Sequence, residues 1–150
     1  MTIITNREEA LVKVKQDGQS LKYVDEKLKV DREVVLEAVK NDGSALEYAD
    51  DSLKADREVV LEALKQGDGY DTPLEYADDS LKDDREVVIE AVKNDGSALE
   101  YADDSLKDDR EVVIEAVKND GYALNHASDT VKVDREVVLE AMHFNTLKLL

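Results

Sequence analysis

Apolar positions recur along the chain in short helical stripes, each closed by a polar break. In residues 31–49, Val34, Val35, Leu36, Ala38 and Val39 follow a helical period. Asp31 precedes them as a candidate N-cap, and Glu33 sits in the positive first turn. The stripe is wide, which predicts a helix that touches neighbours on more than one side. Asn41-Asp42-Gly43 should end it, with Gly43 as a left-handed cap. A second helical piece is predicted at once. Ser44-Ala45-Leu46-Glu47 reads as a capping box, in which the serine caps and the glutamate reaches back. Ser97-Ala98-Leu99-Glu100 repeats it, and Thr72-Pro73-Leu74-Glu75 sets proline at the first helical position. Ala45, Leu46, Ala49 and Leu53 form the apolar side, and Asp50-Asp51-Ser52 should break the helix into a tight turn.

This pattern is a tandem repeat. Asp-Arg-Glu begins at Asp31, Asp56, Asp84, Asp109 and Asp134, and Asn6-Arg7-Glu8 is a diverged copy. The segment Ser80 to Gly96 is identical to Ser105 to Gly121. The units are therefore 6–30, 31–55, 56–83, 84–108, 109–133 and a truncated 134–150. The third carries three extra residues within Gln66-Gly67-Asp68-Gly69-Tyr70-Asp71, where a solenoid tolerates length change. A helix of about ten residues cannot hold itself together, so each hairpin must bury its face on the next. The predicted fold is all-α: a short α-solenoid of about six helical hairpins in one domain, 1–150. A globular bundle of the same helices is the alternative. Ile3 and Ile4 are expected to cover the first hairpin. Leu149 falls in the column of Leu46, so the last unit should hold only a stub of its second helix, either folded back or open to another chain.

The motif Asp-Arg-Glu-Val-Val-Leu-Glu-Ala-Val-Lys-Asn-Asp-Gly-Ser-Ala-Leu-Glu-Tyr-Ala at Asp31 to Ala49 resembles the family known as domain of unknown function 4116. The resemblance runs over roughly residues 6 to 144. Members are tandem helical repeats of bacteria, protists and large viruses without an established activity. The resemblance thus implies the fold and little about function. The fifth unit departs from the pattern at Tyr122, Asn125 and His126.

Charge narrows the partners. The formal net charge is −17, and residues 31–108 hold 24 acidic against 9 basic side chains. This disfavours direct nucleic-acid binding and docking on anionic membranes, and favours a basic protein. The chain has no cysteine, which removes disulfides and thiolate metal sites. No signal-peptide pattern and no membrane-length apolar run is read, so the expectation is a soluble cytoplasmic protein.

If stacking sets equivalent positions in rows, Asp50-Asp51, Asp78-Asp79 and Asp103-Asp104 form an acidic ladder, extended by Asp25-Glu26 and Asp129. Such a ladder has several readings: a solvated surface that keeps a duplicated protein apart, a docking face for a basic partner protein, a nucleic-acid mimic that blocks a DNA- or RNA-binding protein such as a defence nuclease, or a divalent-cation surface. Tyr48, Tyr76 and Tyr101, in one column with Tyr23 and His126, are candidate anchors for the partner, or pack between hairpins. Glu47, Glu75 and Glu100 are assigned to capping. The column Arg32, Arg57, Arg85, Arg110 and Arg135 neutralises local acids or grips carboxylates. Asp68-Gly69-Tyr70-Asp71 lacks the spacing of an EF-hand loop. His126 and His143 lie in different units, with no triad or metal spacing and no phosphate loop nearby. No enzyme activity, cofactor or metal is expected. The function read from the sequence is non-catalytic binding of a basic partner protein through the surface of the central units, with nucleic-acid mimicry and self-assembly through the C-terminal end as alternatives.

Overall fold

The computed structural model describes residues 2–67 and 70–148. Among these residues six long helices recur: α1 (Arg7–Gln16), α2 (Arg32–Asn41), α4 (Arg57–Leu64), α6 (Arg85–Asn94), α8 (Arg110–Asn119) and α10 (Arg135–Lys148). Four single-turn helices lie between them: α3 (Asp51–Lys54), α5 (Asp79–Lys82), α7 (Asp104–Lys107) and α9 (Asp129–Lys132). Each long helix from α1 to α8 is followed by a 3-10 segment, such as Gly43–Tyr48 and Gly96–Tyr101. A complete unit thus has three helical pieces where the sequence suggested two. Long helices pack on long helices and 3-10 segments on 3-10 segments, which makes a two-layered solenoid.

The exposure of the terminal units explains the wide stripe. In α2, Val34, Val35, Ala38 and Val39 are all buried. In α1 the counterparts of Val34 and Ala38 are Glu9 and Lys13, both exposed, while Ala10 and Val14 stay buried. In α10 the pattern reverses: Val137 and Ala141 are buried, but Met142 is 60% exposed where Val117 of α8 is 0% exposed. One pair therefore faces the preceding unit and the other the following unit. Each fully buried aliphatic side chain contributes about 1.5–3 kcal/mol as an upper figure, and half of that requires a neighbour on each side.

The N-terminal end is closed by main chain. Ile4 accepts from Asp25 N at 2.9 Å and donates to Tyr23 O at 2.8 Å, and its side chain packs on the core. Ile3 is 52% exposed, so Ile4 alone covers the first unit. The same bond recurs between units: Asp50 N donates to Lys29 O, Asp78 N to Lys54 O, Asp103 N to Lys82 O and Ser128 N to Lys107 O, at 2.9–3.1 Å. Equivalent residues therefore lie in register along one axis.

Three local expectations are corrected. Asp42, and not Ser44, caps the second piece: its carboxylate accepts from Ser44 N and Oγ at 2.9 and 2.7 Å. A 3-10 turn beginning at Gly43 brings the amide two residues beyond Asp42 to its carboxylate, whereas a capping box needs the third amide of an α-helix. Thr72 also gives no side-chain cap; its hydroxyl donates to Asp95 at 2.7 Å. Gly43 is not in the left-handed region. It is required because an added Cβ would lie 2.2 Å from the Ala63 carbonyl oxygen; Gly18, Gly96 and Gly121 meet Ala38, Ala116 and Ala141 in the same way. Finally, Asp50, Asp78 and Asp103 start a short helix and do not merely turn the chain.

The last unit differs too. Where α8 stops at Asn119-Asp120-Gly121, the sixth unit reads Phe144-Asn145-Thr146, and α10 runs on to Lys148 in place of the expected stub. Without the glycine the chain cannot make the close approach that opens the 3-10 segment. The Leu149 column assignment, like Leu150 and the Asp68-Gly69 part of the loop, lies outside the described residues. No helix among the described residues is long and apolar enough to cross a membrane.

Gly96→Ala is expected to lower stability by about 1–3 kcal/mol through this overpacking. Gly67→Ala, whose nearest atom would be 3.4 Å away, should be neutral or slightly stabilising. Urea denaturation of the two variants checks both.

Candidate partner-binding surface

The short helices carry the predicted acidic positions. Asp50, Asp78 and Asp103 accept from the amides of Ser52, Ser80 and Ser105 at 3.0, 3.0 and 2.9 Å. Ser52 and Ser80 also donate their hydroxyls to the same carboxylates. The carboxyl pKa falls at Asp50 and Asp78, first through the serine hydroxyl, and at Asp103, first through the serine amide. These three aspartates hold structure and stay charged.

The second aspartate of each pair is spare. Asp51 and Asp104 are fully exposed, with Lys54 and Lys107 only at 4.0 and 3.9 Å. Glu47, Glu75 and Glu100, assigned to capping by the sequence, are exposed as well. They add to the negative face.

Between successive short helices lies a shallow groove, repeated three times. The first, about 420 Å³, is lined by Asp51, Lys54, Glu75, Tyr76 and the Asp78-Asp79 pair. The second, about 370 Å³, is lined by Asp79, Lys82, Tyr101 and the Asp103-Asp104 pair. The third, about 450 Å³, has His126 in the tyrosine position and Ser128-Asp129 in place of the aspartate pair. Asp79 and Asp104 each border two grooves. The structure thus brings together Asp51, Asp78, Asp79, Asp103, Asp104, Tyr76 and Tyr101. Asp50 and Tyr48 line none of these grooves.

The tyrosines serve the core as well. Tyr48, Tyr76 and Tyr101 are half-buried against it, and burial is the first cause of their raised pKa values. Lys22 stands 5.9 Å from the centre of the Tyr48 ring, a cation–π contact between adjacent units.

The arginines do more than neutralise. Arg7 donates to Asp31 at 2.6 Å and also to Glu33, both in the next unit. Arg32 takes Asp56 and Glu58, Arg57 takes Asp84 and Glu86, Arg85 takes Asp109 and Glu111, and Arg110 takes Asp134 and Glu136. Hydrogen bonds to these carboxylates raise the guanidinium pKa of Arg7, Arg32, Arg85 and Arg110. The same bonds lower the carboxyl pKa of Asp31, Asp56 and Asp109. A second clamp uses asparagine. Asn41 and Asn119 accept from the amides of Gly18 and Gly96 at 2.7 Å and donate to carbonyls ending the preceding long helix. The asparagine column was visible in the sequence as Asn41, Asn94 and Asn119, but its cross-unit reach was not.

The residues weighed for catalysis stay apart. His126 lies beside the third groove and His143 on the exposed side of α10. Among the described residues no group of three or more His, Asp or Glu is placed to hold a metal ion. Tyr70, in the inserted loop, is 94% exposed.

A sequence model of one family, described as Domain of unknown function (DUF4116), matches residues 6–54, 31–70, 56–107 and 109–147. The chain belongs to this family. The overlapping windows are those of a tandem array, and each starts at one of the caps Asn6, Asp31, Asp56 and Asp109. No curated protein and no solved structure matches the chain.

The arginine clamps predict an acid limb in stability. Because Asp31, Asp56 and Asp109 titrate lower when folded, their contribution is complete above the ordinary aspartate pKa of about 3.9 and is lost as pH falls through the folded values. The thermal midpoint should drop between about pH 4 and pH 2. The drop should be smaller in a double Arg32→Gln, Arg85→Gln variant, as followed by circular dichroism.

Proposed function

We propose that this protein is a non-catalytic acidic repeat protein that docks a basic partner protein along the short helices of its central units. The observation that carries this reading is the threefold recurrence of one groove in register, each with a ring at its side, a lysine, and an exposed aspartate on its rim. A partner with basic side chains at matching intervals meets Asp51, Asp79 and Asp104 in turn. The structural aspartates Asp50, Asp78 and Asp103 supply fixed negative charge behind them. Tyr76 and Tyr101 offer half-buried rings as apolar anchors, with Tyr48 continuing their column. The summed charge of residues 31–108, 24 acidic against 9 basic side chains, would speed encounter with such a partner.

The decisive comparison is capture from a lysate by the wild-type chain and by an Asp51→Asn, Asp79→Asn, Asp104→Asn variant. A basic protein held by the wild type and released by the variant, at moderate salt, is the expected result. Capture unchanged in the variant would overturn the reading. Displacement of the captured protein by duplex DNA would assign the surface to nucleic-acid mimicry.

A second reading rests on the open end of the stack. Met142 and Leu139 are 60% and 54% exposed, and Leu147 is 59% exposed. Burying them against a second copy would make the protein self-assembling. Sedimentation velocity should then show a concentration-dependent dimer that Met142→Asp abolishes; a monomer at all concentrations would remove this reading.

A further inference from the structure

The long-helix face carries a feature that the acidic ladder does not explain. Leu36, Leu61, Ile89 and Ile114 are half-buried against the core, the first two lining one groove and the last two another. They belong to the wide stripe of the sequence but lie outside the fully buried set. Two grooves on this face can be compared. The groove along α4 and α6 has a volume of about 570 Å³, and that along α6 and α8 about 450 Å³.

Their charges differ in sign. Glu58, Glu62, Glu86 and Glu90 line the α4/α6 groove against Arg57 and Lys65. The α6/α8 groove has Arg85, Lys93 and Lys118 against Glu111 and Glu115. Most of these charges are already matched: Arg57 holds Glu86, Lys65 holds Glu62 at 2.9 Å, and Arg32 holds Glu58. Glu90 is the exception. Its counterparts Glu37, Glu62 and Glu115 each pair with the lysine three residues on. Among the described residues no ion pair or hydrogen bond holds the half-buried Glu90 carboxylate. The groove also sits where the repeat is irregular. The helix α4 ends at Leu64, two residues short of its counterparts, and the inserted loop follows.

We infer that the α4/α6 groove is a second docking site, which takes an amphipathic helix of a partner protein bearing leucines and lysines on one face. The leucines would pack on Leu36 and Leu61, and a lysine would pair with Glu90. This is helix-in-groove recognition, with apolar contact giving affinity and the unmatched carboxylate giving register. The α6/α8 groove repels the same ligand through its basic excess. The site is separate from the short-helix face and does not depend on the reading of that face.

The test is fluorescence anisotropy with a labelled amphipathic leucine–lysine peptide at physiological ionic strength. Leu61→Asp and Glu90→Lys are each expected to weaken binding about tenfold, the size of one partly buried contact. Asp51→Asn, Asp79→Asn, Asp104→Asn should change it less than about twofold. Glu90→Lys lies on the surface, so it keeps the test valid if Leu61→Asp perturbs folding; circular dichroism checks both variants. Absence of binding by the wild type would overturn the inference. So would affinity unchanged in Glu90→Lys, or equal losses in all variants, which would mark general attraction by net charge.

Discussion

A helix of two or three turns with two apolar faces cannot stand free and cannot be satisfied by one neighbour. This constraint governs the architecture. In α2 one pair of buried residues faces backward and the other forward, so each unit is incomplete until it has a unit on either side. The termini solve the problem differently. At the N-terminal end Glu9 and Lys13 make the outward face polar, and Ile4 supplies the carbonyl that a preceding unit would offer to Asp25. At the C-terminal end the outward face of α10 keeps its apolar character at Met142. Close stacking then sets the demand for glycine, because the 3-10 segment passes over the alanine carbonyl of the next helix with no room for a Cβ.

The same stacking sorts the acids into workers and spares. The aspartates of Asp-Arg-Glu cap the long helices and receive the arginine of the preceding unit. Asp17, Asp42, Asp95 and Asp120 cap the 3-10 segments that follow them, and the first of each Asp-Asp pair caps the short helix. Much of the −17 charge is therefore structural in position. Exposed ion pairs are individually weak, yet a bidentate arginine that spans two units fixes their register as well as contributing energy. What is left over, at Asp51, Asp79, Asp104 and the exposed glutamates, forms the surface available to a partner. Duplication multiplies both kinds together, so periodic charge on its own carries no functional meaning. The recurrence of a shaped groove beside the spare charges carries more.

The third unit shows how an exception in a repeat creates individuality. Asp71 occupies the glycine column there, and the chain takes extra residues to reach Pro73. The helix α4 is shortened, Thr72 donates to Asp95 of the next unit where Ser44 and Ser97 donate within their own, and the flanking groove keeps an unmatched glutamate. In an array of near-identical interfaces, this junction is chemically distinct from its neighbours.

Period and punctuation in the sequence were enough for the all-α solenoid, the long helices and their aspartate N-caps, because these depend on contacts within a few residues and on simple repetition. The register of the acidic rows followed from repetition as well. The sequence misassigned Ser44 and Glu47 as a capping box and Gly43 as a left-handed cap, since the same letters serve a 3-10 turn whose geometry is imposed by the neighbouring unit. It could not separate the aspartates that cap from those that are free, nor Leu36 from the fully buried stripe, nor foresee that Arg32 reaches Asp56 and Glu58. Those assignments depend on which atoms of a different unit lie within hydrogen-bonding distance, and only stacking in three dimensions sets that distance.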